Sequence, residues 1–97
     1  MKNNMIYNAL GNTMTISYPI LIDDAEVDLS QMDVSLYVEC NQFNKEMDIE
    51  IEDNTITFTF EGKDQRVAGD YDVVVYINEG EDDQLILRNK EVFNLYR

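Results

Sequence analysis

The chain has no histidine and no tryptophan, and it holds a single cysteine, a single proline and four glycines. Without histidine it lacks the commonest general base and the commonest zinc ligand together. Cys40 alone cannot close an intramolecular disulfide, so the fold stands without a bridge in either redox compartment. Glycine-rich phosphate loops, a Ser/His/Asp set and cysteine metal spacings are all missing. No apolar run is long enough to cross a membrane as a helix, and the opening MKNNMIYNALGNTM lacks the apolar stretch of a signal peptide. A cytosolic product, or one assembled in the cytosol, is the expectation. Basic residues are also scarce: seven against twenty acidic ones, for a net charge of −13. Such a surface repels phosphate backbones and anionic lipid, which excludes nucleic acid and membrane as expected partners. It suits a basic protein partner, or mimicry of DNA by carboxylates.

What is present is a strand pattern. Ninety-seven residues, 44 % of them apolar, fit one folded domain over residues 1–97. Period-two alternation runs through Thr13–Ile22, where Met14, Ile16, Tyr18, Ile20 and Ile22 share one side. Pro19 removes a ladder donor there and predicts an edge strand or a switch of sheets. Val34, Leu36 and Val38 alternate with Ser35, Tyr37 and Glu39; residues 41–45 are read as a turn. Met47, Ile49 and Ile51 alternate with Asp48, Glu50 and Glu52, and Asp53-Asn54 turns the chain into Ile56, Phe58 and Phe60. After a polar crossing loop at 61–69 comes VAGDYDVVVYINEG, from Val67 to Gly80. A glycine two residues ahead of an anchoring Tyr71 is the pattern of a strand entering an Ig-like sandwich. The last strand or pair of strands lies in residues 84–96, with a bulge at Asn89-Lys90. Turns recur every 8–12 residues or so and no helical period appears. The predicted fold is all-β, an Ig-like antiparallel β-sandwich of about seven strands, with residues 1–12 as an added strand or an arm donated to a neighbour. Its expected core holds Ile16, Leu36, Val38, Ile49, Ile51, Phe58, Phe60, Tyr71, Val73, Val75 and Phe93.

Two acidic clusters invite a metal reading: Asp23, Asp24, Glu26 and Asp28, then Glu79, Glu81, Asp82 and Asp83. Calcium takes about six to eight oxygens at set spacings around a glycine, and neither cluster matches an EF-hand loop. Solvated turns are the better reading, with a loose calcium site between turns as the sharper alternative. The ladder Asp48, Glu50 and Glu52 could supply a glycosidase acid and base only inside a cleft that raises one pKa. On a wet sheet face opposite Thr55, Thr57 and Thr59 it has none. Cys40 has no neighbouring cation to stabilise a thiolate. No enzyme, no cofactor and no metal is expected.

Apolar residues on faces that should be polar carry more meaning. With Tyr71, Val73 and Val75 inward, Val74 and Tyr76 turn outward, as does Ile86 if Leu85 and Leu87 point in. Tyr37 is outward on its own strand. If these strands are neighbours, Tyr37, Val74, Tyr76 and Ile86 form one patch of the kind that marks protein interfaces.

The order of elements resembles a known family. An acidic turn followed by VDLS (Val27–Ser30), the strand Val34–Val38, the DNTITFTF arm (Asp53–Phe60), the Ala68, Gly69, Tyr71 corner and a final Phe93-x-Leu95 strand together look like the Ig-like N-terminal domain of phage baseplate upper proteins. Related small Ig-like phage and prophage structural proteins of gut Bacteroidetes share this look. The resemblance spans roughly residues 18–95 and carries over no catalytic residue. It implies a tail, baseplate or adaptor module that touches other virion proteins or copies of itself, located in the virion or the bacterial cytoplasm. The chain departs from that family in lacking the long C-terminal region, and from antibody-type domains in lacking the inter-sheet cysteines and core tryptophan. Two rival expectations remain: an acidic DNA mimic that inhibits a host defence protein, through Asp48, Glu50 and Glu52, and a carbohydrate-binding or adhesion module using Tyr37 and Tyr76 as a platform.

Overall fold

The computed structural model describes residues 5–97. Ten strands follow one another among them: β1 (Ile6–Ala9), β2 (Met14–Pro19), β3 (Leu21–Ile22), β4 (Ala25–Glu26), β5 (Val34–Cys40), β6 (Phe43–Met47), β7 (Ile49–Glu52), β8 (Thr55–Phe60), β9 (Gly69–Ile77) and β10 (Leu85–Tyr96). A five-stranded sheet in the order β1-β10-β9-β5-β6 packs on a three-stranded sheet in the order β2-β8-β7, and β3 and β4 make a separate short hairpin. The molecule is an all-β sandwich. The strand count exceeds the expected seven or so, and the ladder is not wholly antiparallel: β1 runs parallel to β10, with Ile6 opposite Phe93 and Ala9 opposite Tyr96. Residues 1–4 of the expected extra strand or arm lie outside the described residues.

Three local readings change. The turn expected over residues 41–45 shrinks to Asn41-Gln42, because Asn41 takes the left-handed conformation at φ +54° and Phe43 already pairs with Cys40. The alternating run Met47–Ile51 is not one strand: Met47 pairs with Leu36 in the larger sheet, while Ile49 pairs with Phe58 in the smaller. The chain changes sheets at Asp48, and alternation continues through the switch. Similarly β10 is one strand whose register slips between Asn89 and Phe93. Glu91, at φ +54°, takes the strained position there, one residue beyond the expected bulge, and its N–H donates to Asp72 Oδ1 at 3.0 Å.

Between the sheets, alternate strand residues form one core that includes Ile16, Leu36, Val38, Phe58, Phe60, Tyr71, Val73, Val75 and Phe93. Ile49 and Ile51 only half-bury, since β7 is the edge of its sheet. Leu29, in the polar stretch before β5, is fully buried. A short 3₁₀ turn at Leu29–Gln31 aims it inward, started by Asp28, whose carboxylate accepts from the Ser30 N–H at 3.0 Å and hydroxyl at 2.7 Å. Those two bonds hold the Asp28 carboxyl below its ordinary pKa.

Tyr71 organises the end where the residue 61–68 loop crosses between sheets. Its ring stacks on Phe93 at 4.8 Å and meets Phe60 edge-on at 5.9 Å. Its hydroxyl donates to the Val67 carbonyl, the tyrosine corner expected from the sequence. Burial, and then the nearby Cys40, push that phenol up to about 12. Gly69 enters β9 at φ +139°, and a Cβ there would lie 2.9 Å from Cys40 Sγ. Gln65 is buried and ties the loop to the β1–β2 turn. Its amide donates to Asn12 O at 2.7 Å and Phe60 O at 3.0 Å, and its Oε1 accepts from Gly11 N at 2.8 Å.

Candidate interaction face

The larger sheet turns one face to the core and one outward. Antiparallel register sets Tyr37 opposite Val74 and Val74 opposite Arg88, with Ser35, Tyr76 and Ile86 forming the next row. Facing pairs in such a ladder stand close enough for their side chains to interact. The four residues expected to share a face, Tyr37, Val74, Tyr76 and Ile86, therefore lie on adjacent rows of three neighbouring strands. Tyr37 and Tyr76 meet edge-to-face with ring centroids 5.5 Å apart. Ile86 is 52 % exposed.

Val74 corrects the sequence reading. It faces outward but is 0 % exposed, standing between its larger ladder partners Tyr37 and Arg88. It is the floor of the face and touches nothing outside the molecule. Leu85 needs the opposite correction. It lies on the inward side, opposite Ile77, yet stays 38 % exposed, because β10 begins beyond the cover of the smaller sheet.

Charge borders the apolar rows. Arg88 Nη1 reaches Glu39 Oε1 at 2.9 Å and Asp72 Oδ2 at 3.1 Å, which raises the guanidinium pKa, Glu39 first. Asn44 donates to the other Glu39 oxygen at 2.7 Å. The Tyr37 hydroxyl points at Glu46 Oε1, 3.4 Å away, and that carboxylate, ahead of burial, holds the phenol above its ordinary pKa. An aromatic and aliphatic centre with a polar rim is the usual anatomy of a protein contact.

The candidates for chemistry sit elsewhere and apart from one another. Cys40 is 4 % exposed, and burial, followed by Asp70 and Asp72, raises its thiol pKa, the opposite of an activated nucleophile. Asp23 and Asp24 form the tip of the β3–β4 hairpin at φ +54° and +64°, a turn-forming role. In the second acidic cluster the Asp83 carboxylate accepts from Asn78 Nδ2 at 3.1 Å inside its own turn. Among the described residues no three acidic or cysteine side chains converge as metal ligands. Glu50 faces Thr57 and Glu52 faces Thr55 across the outer face of the smaller sheet, which is otherwise laced by the hydroxyl pairs Thr15–Thr59 at 2.9 Å and Ser17–Thr57 at 3.0 Å. Where the sequence pattern predicted no cleft, a hollow of about 360 Å³ opens on that face, lined by Asp48, Glu50, Thr57, Thr59 and Glu61, and the three acids on it are exposed to water.

Sequence reasoning did not single out Arg88, Leu21 or Leu85. The cation sits on an outward position of a strand rich in leucine, and that alternation was the available signal. The exposure of Leu21 and Leu85 comes from where the sheets end, which local pattern does not encode. No protein-family model matches the chain, and no curated protein or solved structure matches it either.

Proposed function

We propose that the domain is a non-enzymatic interaction module that docks on another protein through the outer face of its five-stranded sheet, with Tyr37, Tyr76 and Ile86 in contact and Val74 as the packed floor. The observation that carries this reading is the edge-to-face Tyr37–Tyr76 pair beside a half-exposed Ile86 on a chain of net charge −13. Large apolar side chains held rigid at the centre of a polar rim are what binding hot spots are made of. The rim, with Glu39, Glu46 and Asp72 outnumbering Arg88, favours a partner with basic residues around an apolar centre. The resemblance of residues 18–95 to phage baseplate Ig-like domains supports a virion setting, as a tail, baseplate or adaptor component.

Co-expression with the products of neighbouring genes, followed by affinity measurement on any complex, tests this. The double variant Tyr76→Ala/Ile86→Ala should weaken the complex by about 2–4 kcal/mol, roughly 30- to 1,000-fold, without altering the circular dichroism spectrum. A complex that ignores this variant but is lost on reversing Asp48, Glu50 and Glu52 to lysine would replace the reading with the acidic mimic.

A further inference from the structure

Among the described residues, the stretch Leu85–Asn89 pairs on one side only, with β9, while β1 covers that edge of β10 only from Phe93 to Tyr96. Alternate residues of the stretch therefore turn their N–H and C=O groups to an open edge. Its sequence, Leu-Ile-Leu-Arg-Asn, has no proline; its one charge, Arg88, is tied down on the outer face by Glu39 and Asp72, and the register slip lies beyond it, between Asn89 and Phe93.

Beside this edge the sandwich is split. The Tyr18–Leu21 segment faces Ile86–Asn89 across a cleft of about 250 Å³. The cleft is continued by a hollow of about 370 Å³, shared through Tyr18, Pro19 and Asn89 and lined further by Ile16 and Val92. Tyr18 lines both, and its hydroxyl is buried with no hydrogen-bond partner. A buried polar atom left without a partner is rare enough to require an explanation. Leu21, on the wall of the cleft, is 53 % exposed.

Acids surround this edge. The turn that feeds β10 carries Glu79, Glu81, Asp82 and Asp83, and the hairpin following Leu21 carries Asp23, Asp24 and Glu26. Arg88 is already held by Glu39 and Asp72. A second copy would bring the same acids to the same edge, so charge repels self-pairing and selects a cationic strand instead. We infer that this edge accepts an extended, cationic segment of another protein, added as a strand alongside Leu85–Asn89, with one inward side chain seated in the cleft at Tyr18. The surface is distinct from the outer face, shares Ile86 and Arg88 with it, and does not depend on that reading.

The probe is a synthetic peptide alternating lysine and valine, compared with a glutamate–valine peptide and with a lysine–valine peptide interrupted by a central proline. Backbone amide shifts of the full chain report the site. The lysine–valine peptide should move the amides of residues 85–89 and 18–21, and raising the salt to half-molar should weaken it severalfold, to roughly the extent that exposed charges are screened. Leu21→Lys and Leu85→Lys, both at exposed positions, should each weaken it about tenfold while leaving distant amides in place. Tyr76→Ala should leave it unchanged. An equal response to the glutamate or proline-interrupted peptide would overturn the inference, as would edge amides already protected by concentration-dependent dimers. Shifts confined to the region of Tyr37 and Tyr76 would support the outer-face reading and overturn this one.

Discussion

At the end of the sandwich where the residue 61–68 loop crosses, polar groups that go inside find partners. Gln65 satisfies three backbone groups of two other segments, and Tyr71 closes on Val67 amid Phe43, Phe60 and Phe93. At the opposite end the Tyr18 hydroxyl is buried without a partner, Leu21 and Leu85 stand half in water, and acidic turns close the loops. One end is knitted, the other unfinished. A scaffold that must present a sticky surface gains from this division: the knitted end holds the strands in register, and the less satisfied end is free to meet something else.

Replacing a glycine by alanine at each end should separate them most widely. At Gly62 a Cβ would sit 1.9 Å from the Gly11 carbonyl oxygen, backbone against backbone, where no side chain can yield. Gly62→Ala must push apart the two segments that Gln65 joins, and should lower the unfolding free energy by about 3 kcal/mol or more. Gly80, in the acidic turn at the other end, has open space around its would-be Cβ and only a left-handed φ of +85° to resist substitution. Gly80→Ala should cost about 1 kcal/mol, the strain of that conformation alone. Urea midpoints measure both; equal losses would erase the contrast between the ends.

Tyr71→Phe probes the knitted end more gently. It keeps the aromatic stack and orphans the Val67 carbonyl, for an expected loss of about 1–2 kcal/mol by urea unfolding. It also carries a pH signature. Burial pushes the folded phenol up to about 12 from its ordinary 10.0, so folding favours its neutral form. That contribution is complete below pH 10 and is lost as pH climbs toward 12. Wild-type stability should therefore fall across this window more steeply than that of Tyr71→Phe, and tyrosinate absorbance should show one late-titrating group that the variant lacks.

How far the sequence discloses this contrast depends on the range of the forces involved. Tyr71 was legible because its corner is local: glycine, spacer, tyrosine and an upstream carbonyl all lie within a few residues. The outward rows were legible because period two assigns faces, and the β7–β8 hairpin because Asp53 turns tightly at φ +55°. Val74 misled because its burial depends on Tyr37 and Arg88, which reach it from other strands. The sheet switch at Asp48 was hidden because both sheets reward the same alternation. Gln65 was hidden for a different reason: a polar residue in a polar loop carries no mark of the three backbone groups that will close around it.

The smallest expected effect belongs to the unfinished end and has the opposite sign. The Tyr18 hydroxyl gave up water on folding and received no partner, and burial raises its pKa accordingly. Removing an unsatisfied group takes away its desolvation cost while leaving the ring's packing intact. Tyr18→Phe should therefore raise stability by up to about 1 kcal/mol, in contrast with the loss from the same chemical change at Tyr71. The paired measurement is a urea midpoint for each variant. A decrease at Tyr18 comparable to that at Tyr71 would mean that its hydroxyl is already satisfied in the free protein, and the two ends would then differ in exposure alone.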